Sequence, residues 1–117
     1  MSYVDGFLLA VPKEKLDAYK ELARKAGEVW KEHGALACVE CIADDVPYGE
    51  ITSFPRAVLA KDDETVVFSW IVYESREKRD AINAKVMADP RLKGDMANMP
   101  FDGKRMIFGG FVPFMEL

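Results

Sequence analysis

Histidine is nearly absent from this chain of 117 residues, which has one, His33, and only two cysteines, Cys38 and Cys41. A tetrahedral zinc site built from Cys and His needs four ligands, so no metal site is expected from these residues. Two cysteines also make no disulfide framework, and a reducing cytoplasm is the expected location. An excess of basic charge is missing too. Sixteen Lys and Arg lie dispersed among twenty Asp and Glu, for a net charge of −4. With no basic stripe and no recognition motif, nucleic acid is not an expected partner. Long apolar runs are lacking: none approaches the ~20 residues of a membrane-spanning helix. The opening "MSYVDGFLLAVPKEK" has no basic leader and carries Asp5 inside its apolar run, unlike a secretory signal. No membrane association is expected. There is no repeat, linker or low-complexity segment, so residues 1–117 read as a single domain.

What is present alternates between two periods. Tyr3 to Val11 is rich in apolar and aromatic residues, stops at Pro12 and reads as a strand. From Lys13 to His33 the period becomes helical: Leu16, Tyr19, Leu22, Ala23, Ala26, Val29 and Trp30 form one apolar stripe. Gly34 stands where a C-terminal cap is expected. "ALACVECIA" supplies a second strand, ending in Asp44, Asp45 and the turn "VPYGE". Over residues 46–60 two readings stay open, a short helix capped by Ser53 with Pro55 in its first turn, or an extended segment. "TVVFSWIVY" is the plainest strand, apolar on both faces and therefore expected to be central and covered twice. Ser75 caps a helix whose inward stripe is read as Ala81, Ile82, Lys85, Val86 and Met87. Asp89 and Pro90 open a short extra helix. "KRMIFGGFVPF" is the last strand, its Gly109–Gly110 pair marking a bulge or a close approach by another group.

The order β-α-β-β-α-β predicts an α+β, ferredoxin-like fold with a four-stranded antiparallel sheet in the order 4-1-3-2. Two helices cover one face of such a sheet, yet the third strand is apolar on both. A homodimer through the uncovered face follows.

Cys38 and Cys41, three apart on one strand, should point to opposite faces, which disfavours a shared metal or a local disulfide. His33 ends the first helix, where it caps the last carbonyls or serves a site. Asp5 supports the second use, since a carboxylate in a central strand must be paired. The first helix runs antiparallel to the first strand, which brings His33 back toward Asp5. The candidate site is therefore a catalytic pair, His33 and Asp5, bordered by Tyr3, Trp70, Tyr73 and Phe111 as substrate-binding residues. Arg105 is a candidate for a substrate anion. Two functions follow: a cofactor-free enzyme acting on a small apolar or aromatic compound, or a non-catalytic dimer that binds such a ligand or serves in a stress response.

The blocks "YVDGF", "VPK", "HGAL", "DDVPYG", "TSFPRAV", "KDDETVVFSWI", "SR", "KRD", "DPR" and "MPFDGKRMI" resemble the YbaA-like bacterial family of unknown function, over nearly the whole chain. The resemblance implies the dimeric α/β-barrel group. That group includes cofactor-free quinone-forming monooxygenases, haem-degrading enzymes, lactone isomerases and stress-response proteins. In its better known members, ligands sit in a cleft between the sheet and its helices. It implies no particular activity for this chain, since one fold hosts many chemistries.

Overall fold

In the computed structural model, residues 2–96 and 98–117 are described. Four strands, β1 (Tyr3–Pro12), β2 (Ala37–Ile42), β3 (Glu64–Tyr73) and β4 (Ile107–Phe111), form one antiparallel sheet in the order β2-β3-β1-β4. Helices α1 (Leu16–His33) and α3 (Arg76–Ala88) pack on one face, with short helices α2 (Phe54–Ala57) and α4 (Pro90–Met96) between the longer elements. This is the expected α+β ferredoxin-like order. The expectation of a barrel is corrected: the sheet of this chain is open, with β2 and β4 as free edges separated by β3 and β1. Four strands are too few to close around a filled interior, which takes about eight. Among the described residues no helix is long and apolar enough to cross a membrane.

The local signals explain the boundaries. Gly34 ends α1 at φ 120°, and its N–H and that of Ala35 close on the carbonyls of Lys31 and Trp30. Ser53 adopts the helical alternative, its hydroxyl accepting from the Arg56 N–H at 3.2 Å with Pro55 in the first turn of α2. Ser75 caps α3 in the same way, through the Lys78 N–H. The inward stripe of α3 is narrower than expected. Ile82 and Val86 are buried, whereas Ala81, Lys85 and Met87 are exposed, because α3 touches α1 along one narrow ridge.

The register sorts the strands into two faces. Tyr3, Asp5, Phe7, Leu9 and Val11 of β1 pair with Tyr73, Ile71, Ser69, Val67 and Thr65 of β3 and face the helices. Two clusters form there, one around Tyr73, Val29 and Val86, the other around Leu9, Val11, Tyr19 and Val67. The opposite face is apolar as well, and α2 covers one end of it: Val58 is buried against Leu8, Ala10 and Val66. Beyond α2 that face is bare, with Ile107 48% and Phe111 63% exposed.

Arg105 holds the far end of the sheet together. Its guanidinium grips the Glu64 carboxylate through both Nη atoms, at 2.8 and 2.6 Å, and also donates to the Leu59 carbonyl and to Asp102. Leu59 has φ 51°, a left-handed conformation costly for a branched residue, and Arg105 fixes the carbonyl of that turn. The hydrogen bonds from Arg105 hold Glu64 far below the ordinary carboxylate range, at about 2. A carboxylate with a depressed folded pKa stabilises above its unfolded value of about 4.3 and loses that contribution as pH falls. Glu64→Gln should cost about 2 kcal/mol near neutral pH, the scale of a charge-assisted bond. In urea unfolding the gap between wild type and variant should shrink steadily from pH 4.5 to pH 2.

Candidate functional site

Between the sheet, α1 and the α3–α4 side lies a cavity of about 1500 Å³, open to solvent. Its floor on the β1–β4 side is aromatic. Phe7 and Phe108, opposite each other in the β1–β4 ladder, have ring centroids 6.4 Å apart and planes inclined by 26°. Phe108, which lines the cavity, is 71% exposed. Met87, Met99, Phe101 and Met106 form the walls. Thioethers are polarisable and adaptable, so this wall can change shape at little cost.

At one end of this groove the central strand carries Asp5, 7% exposed. Its charge is met by Arg79 of α3, whose Nε donates to Asp5 Oδ1 at 3.1 Å. The guanidinium also bonds Asp80 at 2.7 Å and the Tyr3 hydroxyl at 3.4 Å, and lies 4.9 Å from the centre of the Tyr3 ring. Gly110 makes this approach fit. A Cβ there would overlap both the Tyr3 hydroxyl and the Arg79 guanidinium. The glycine pair in the last strand is thus a close approach, by two side chains, and the strand is unbroken. Beneath lies Tyr73, fully buried, accepting from Trp30 Nε1 at 3.1 Å and donating to Asn83 Oδ1 at 3.3 Å. Burial, with Asp5 adding its charge, pushes the Tyr73 phenol well above its ordinary value. It stays protonated.

On the β2 side of the cavity the Tyr19 hydroxyl donates to Glu40 Oε1 at 2.6 Å. Burial raises the Glu40 carboxyl, and hydrogen bonds from Tyr19 and Ser69 partly offset that. Tyr19 is itself pushed up by its burial and by this carboxylate.

The expected site divides into parts. The carboxylate on His33 is Asp89, with Nε2 to Oδ2 at 3.0 Å, and Asp5 belongs to Arg79. Asp89 is also held by Arg91, which bonds Glu32 of α1 as well. Arg91 and His33, in that order, depress the Asp89 carboxyl. The pair thus fastens the end of α1 to the start of α4, behind Arg91 and Glu32, which line the groove where His33 and Asp89 do not. Tyr3 and Tyr73 stand near Asp5, but both are buried and neither is part of the groove lining. Trp70 and Phe111 stand elsewhere: Trp70 pairs with Gly6, and Phe111 with Val4, so both face away from the helices. Arg105 is committed to Glu64 at the other end of the sheet. Cys38 faces α1, and Cys41 the opposite side, both as free thiols. Among the described residues no three or more His, Cys, Asp or Glu converge as a metal site requires.

Arg79, Glu40, Ser69 and Asn83 escaped the sequence reading. Ser69 and Glu40 left a faint trace, being polar residues inside apolar strands at positions that the register pairs. Arg79 left none, because its partner lies 74 positions away.

Gly110→Ala tests the packing at the end of the groove. The added methyl must displace Tyr3 or Arg79, and overpacking of this kind costs about 1–3 kcal/mol. Urea denaturation should register that loss, whereas Gly94→Ala, inside helix α4 with nothing within 4 Å, should hold or gain up to about 1 kcal/mol.

Comparison with known proteins places this geometry in a wider group. The uncharacterised protein YbaA of Escherichia coli K12 is 60% identical over 116 residues, 99% of each chain. Among solved structures, an uncharacterised NIPSNAP domain protein from Burkholderia xenovorans superimposes with a TM-score of 0.61 at 15% identity, over 97% of this chain and 98% of that one. SnoaB, a cofactor-independent oxygenase from Streptomyces nogalater, does so with a TM-score of 0.59 at 13% identity, over 99% and 96%. These two share the fold; their identities carry nothing further. With a family model matching residues 2–103 and a relative this close over its full length, the chain belongs to the DUF1428 family of proteins of unknown function.

Proposed function

We propose that the chain binds a small apolar or aromatic molecule in the groove between α1 and α3. The observation that carries this reading is the stacked pair of half-buried Phe7 and exposed Phe108, beside a part-buried ion pair. Concave apolar surface with a few convergent polar groups is the usual form of a ligand site. Nile red, an uncharged dye that brightens in apolar surroundings, should bind the wild type. Phe108→Asp, an exchange at an exposed position, should abolish the signal while the far-UV circular dichroism is retained. Equal dye binding by the two proteins would place the ligand elsewhere and sink the reading.

A cofactor-free reaction on the bound molecule, oxygenation or isomerisation, is a second reading. Glu40 favours it: a carboxylate lining the cavity, with its pKa raised by burial, has the character of a general base. The His33–Asp89 pair is set outside that lining and serves this reading less well. Mass spectrometry of small molecules released from the freshly purified protein discriminates: a bound compound unchanged after incubation in air speaks for binding alone.

We infer that the chain works as a homodimer joined through the face of the sheet that α2 leaves bare. Phe68, Trp70, Ile107 and Phe111 lie on that face, and exposed apolar patches beyond about 300–600 Å² are rare on monomers. Light scattering should give twice the chain mass, and Phe111→Asp should halve it. With Cys38 and Cys41 unpaired, a reducing cytoplasm suits the protein.

A further inference from the structure

A single row of side chains crosses the helix-facing side of the sheet. The register sets Phe108 of β4 opposite Phe7 of β1, Phe7 opposite Ser69 of β3, and Ser69 opposite Glu40 of β2. All four line the cavity, together with the small residues Ala23, Ala26 and Gly27 of α1, which leave room beneath the helix. The row is aromatic at one end and polar at the other. The Ser69 hydroxyl donates to Glu40, so the carboxylate leans over β3 toward Phe7. Adjacent strands are about 4.7–4.9 Å apart, which puts both polar groups within reach of the edge of a ring stacked on Phe7. Glu40 also differs from Asp5 and Glu32, which border the same cavity. Each of those is met by a guanidinium, of Arg79 and of Arg91, and a guanidinium holds its partner anionic. The groups bonded to Glu40 are neutral hydroxyls, of Tyr19 at 2.6 Å and of Ser69. They orient the carboxylate and leave it lone pairs to spare, since a carboxylate has about four. Burial raises its pKa, so it takes up a proton more readily than an ordinary glutamate.

We propose that Glu40 is the base of a proton-transfer site, and that its substrate is a flat, fused-ring ketone stacked on Phe7 and Phe108 with an acidic C–H turned to Glu40. This assignment rests on the groove being the ligand site. Glu40 takes the proton from the carbon beside the carbonyl. The C–H electron pair becomes the C=C of an enolate, and the carbonyl π pair moves onto oxygen. Once protonated, Glu40 is a weaker acceptor, and the Ser69 hydroxyl turns to the enolate oxygen. Return of the proton to another carbon of the conjugated system shifts a double bond and restores the Glu40 carboxylate. The negative charge only changes place, and no oxidant or co-reactant is consumed.

The test is deuterium exchange by the full chain with 2-tetralone, a fused-ring ketone whose CH2 between ring and carbonyl is acidic. In heavy water, proton NMR of that CH2 should show exchange at least tenfold faster with the wild type than with Glu40→Gln at equal concentration. The glutamine keeps an oxygen for the Tyr19 hydroxyl, and the variant keeps every lysine, so catalysis by surface amines is subtracted. Ser69→Ala should still bind Nile red and should lose severalfold in the same rate. Equal exchange by wild type and Glu40→Gln overturns the proposal. Exchange at the buffer rate while 2-tetralone displaces Nile red overturns it too, as does failure of the ketone to displace the dye; in both cases the groove reading stands. Failure of Nile red itself to bind overturns the groove reading, and the site with it.

Discussion

A carboxylate in the central strand of the sheet has to be neutralised, and much of this structure follows from how that is done. Asp5 lies on the helix-facing side of β1, where an unpaired charge is not tolerated. Arg79 answers it from α3. Removing either partner of a fully buried pair typically costs about 3–5 kcal/mol, and less here, where Arg79 stays one-fifth exposed and keeps Asp80 as a partner. The pair therefore sets where α3 rests on the sheet. That placement brings the guanidinium against β4, where only a residue without a side chain fits, and Gly110 is that residue. It also leaves Tyr3 under the guanidinium and Tyr73 in the dry layer below. One electrostatic requirement thus accounts for a helix position, a glycine and the polar end of the groove.

The groove itself is a consequence of spacing. α1 and α3 meet along a narrow ridge, and α1 presents small residues, Ala23, Ala26 and Gly27, to the cavity. Phe108 is left exposed and Phe7 half-buried on the floor of the cavity. At the opposite end of the sheet Arg105 and Glu64 do the corresponding work for the turns, anchoring Leu59 in its left-handed conformation. The two ion pairs differ in use. The Arg105 pair closes the structure, whereas the Arg79 pair borders a space that a ligand can enter.

The sheet has a second apolar face, and the intervening segment between β2 and β3 deals with part of it. Val58 and Phe54 of that segment lie over Leu8, Val66 and Phe68. What remains bare is the region of Trp70, Ile107 and Phe111. Aromatics that look alike in the sequence therefore serve separate ends: Tyr3 and Tyr73 are buried on the helix-facing side beside Asp5, while Trp70 and Phe111 lie on the opposite face of the sheet. The difference between these roles is a single residue of register.

By itself the sequence determined the elements and their order. Periods of two and 3.6, the cap Ser75 and the stop at Gly34 are local, and local preferences act within a few residues. They also placed Cys38 and Cys41 on opposite faces, since alternation along one strand needs no knowledge of its neighbours. The choice between helix and extended chain at Ser53, by contrast, was left to the packing of Val58 on the sheet. Only the tertiary structure decided the partners. A charge is drawn to whichever opposite charge the packing brings near, so Asp5 went to Arg79, His33 to Asp89 and Arg105 to Glu64. Proximity at one end of a fold follows from topology, but contact depends on helix rotation and on which side chain is long enough to reach. Those are set by how α1 and α3 pack on the sheet, and no local pattern in the chain encodes them.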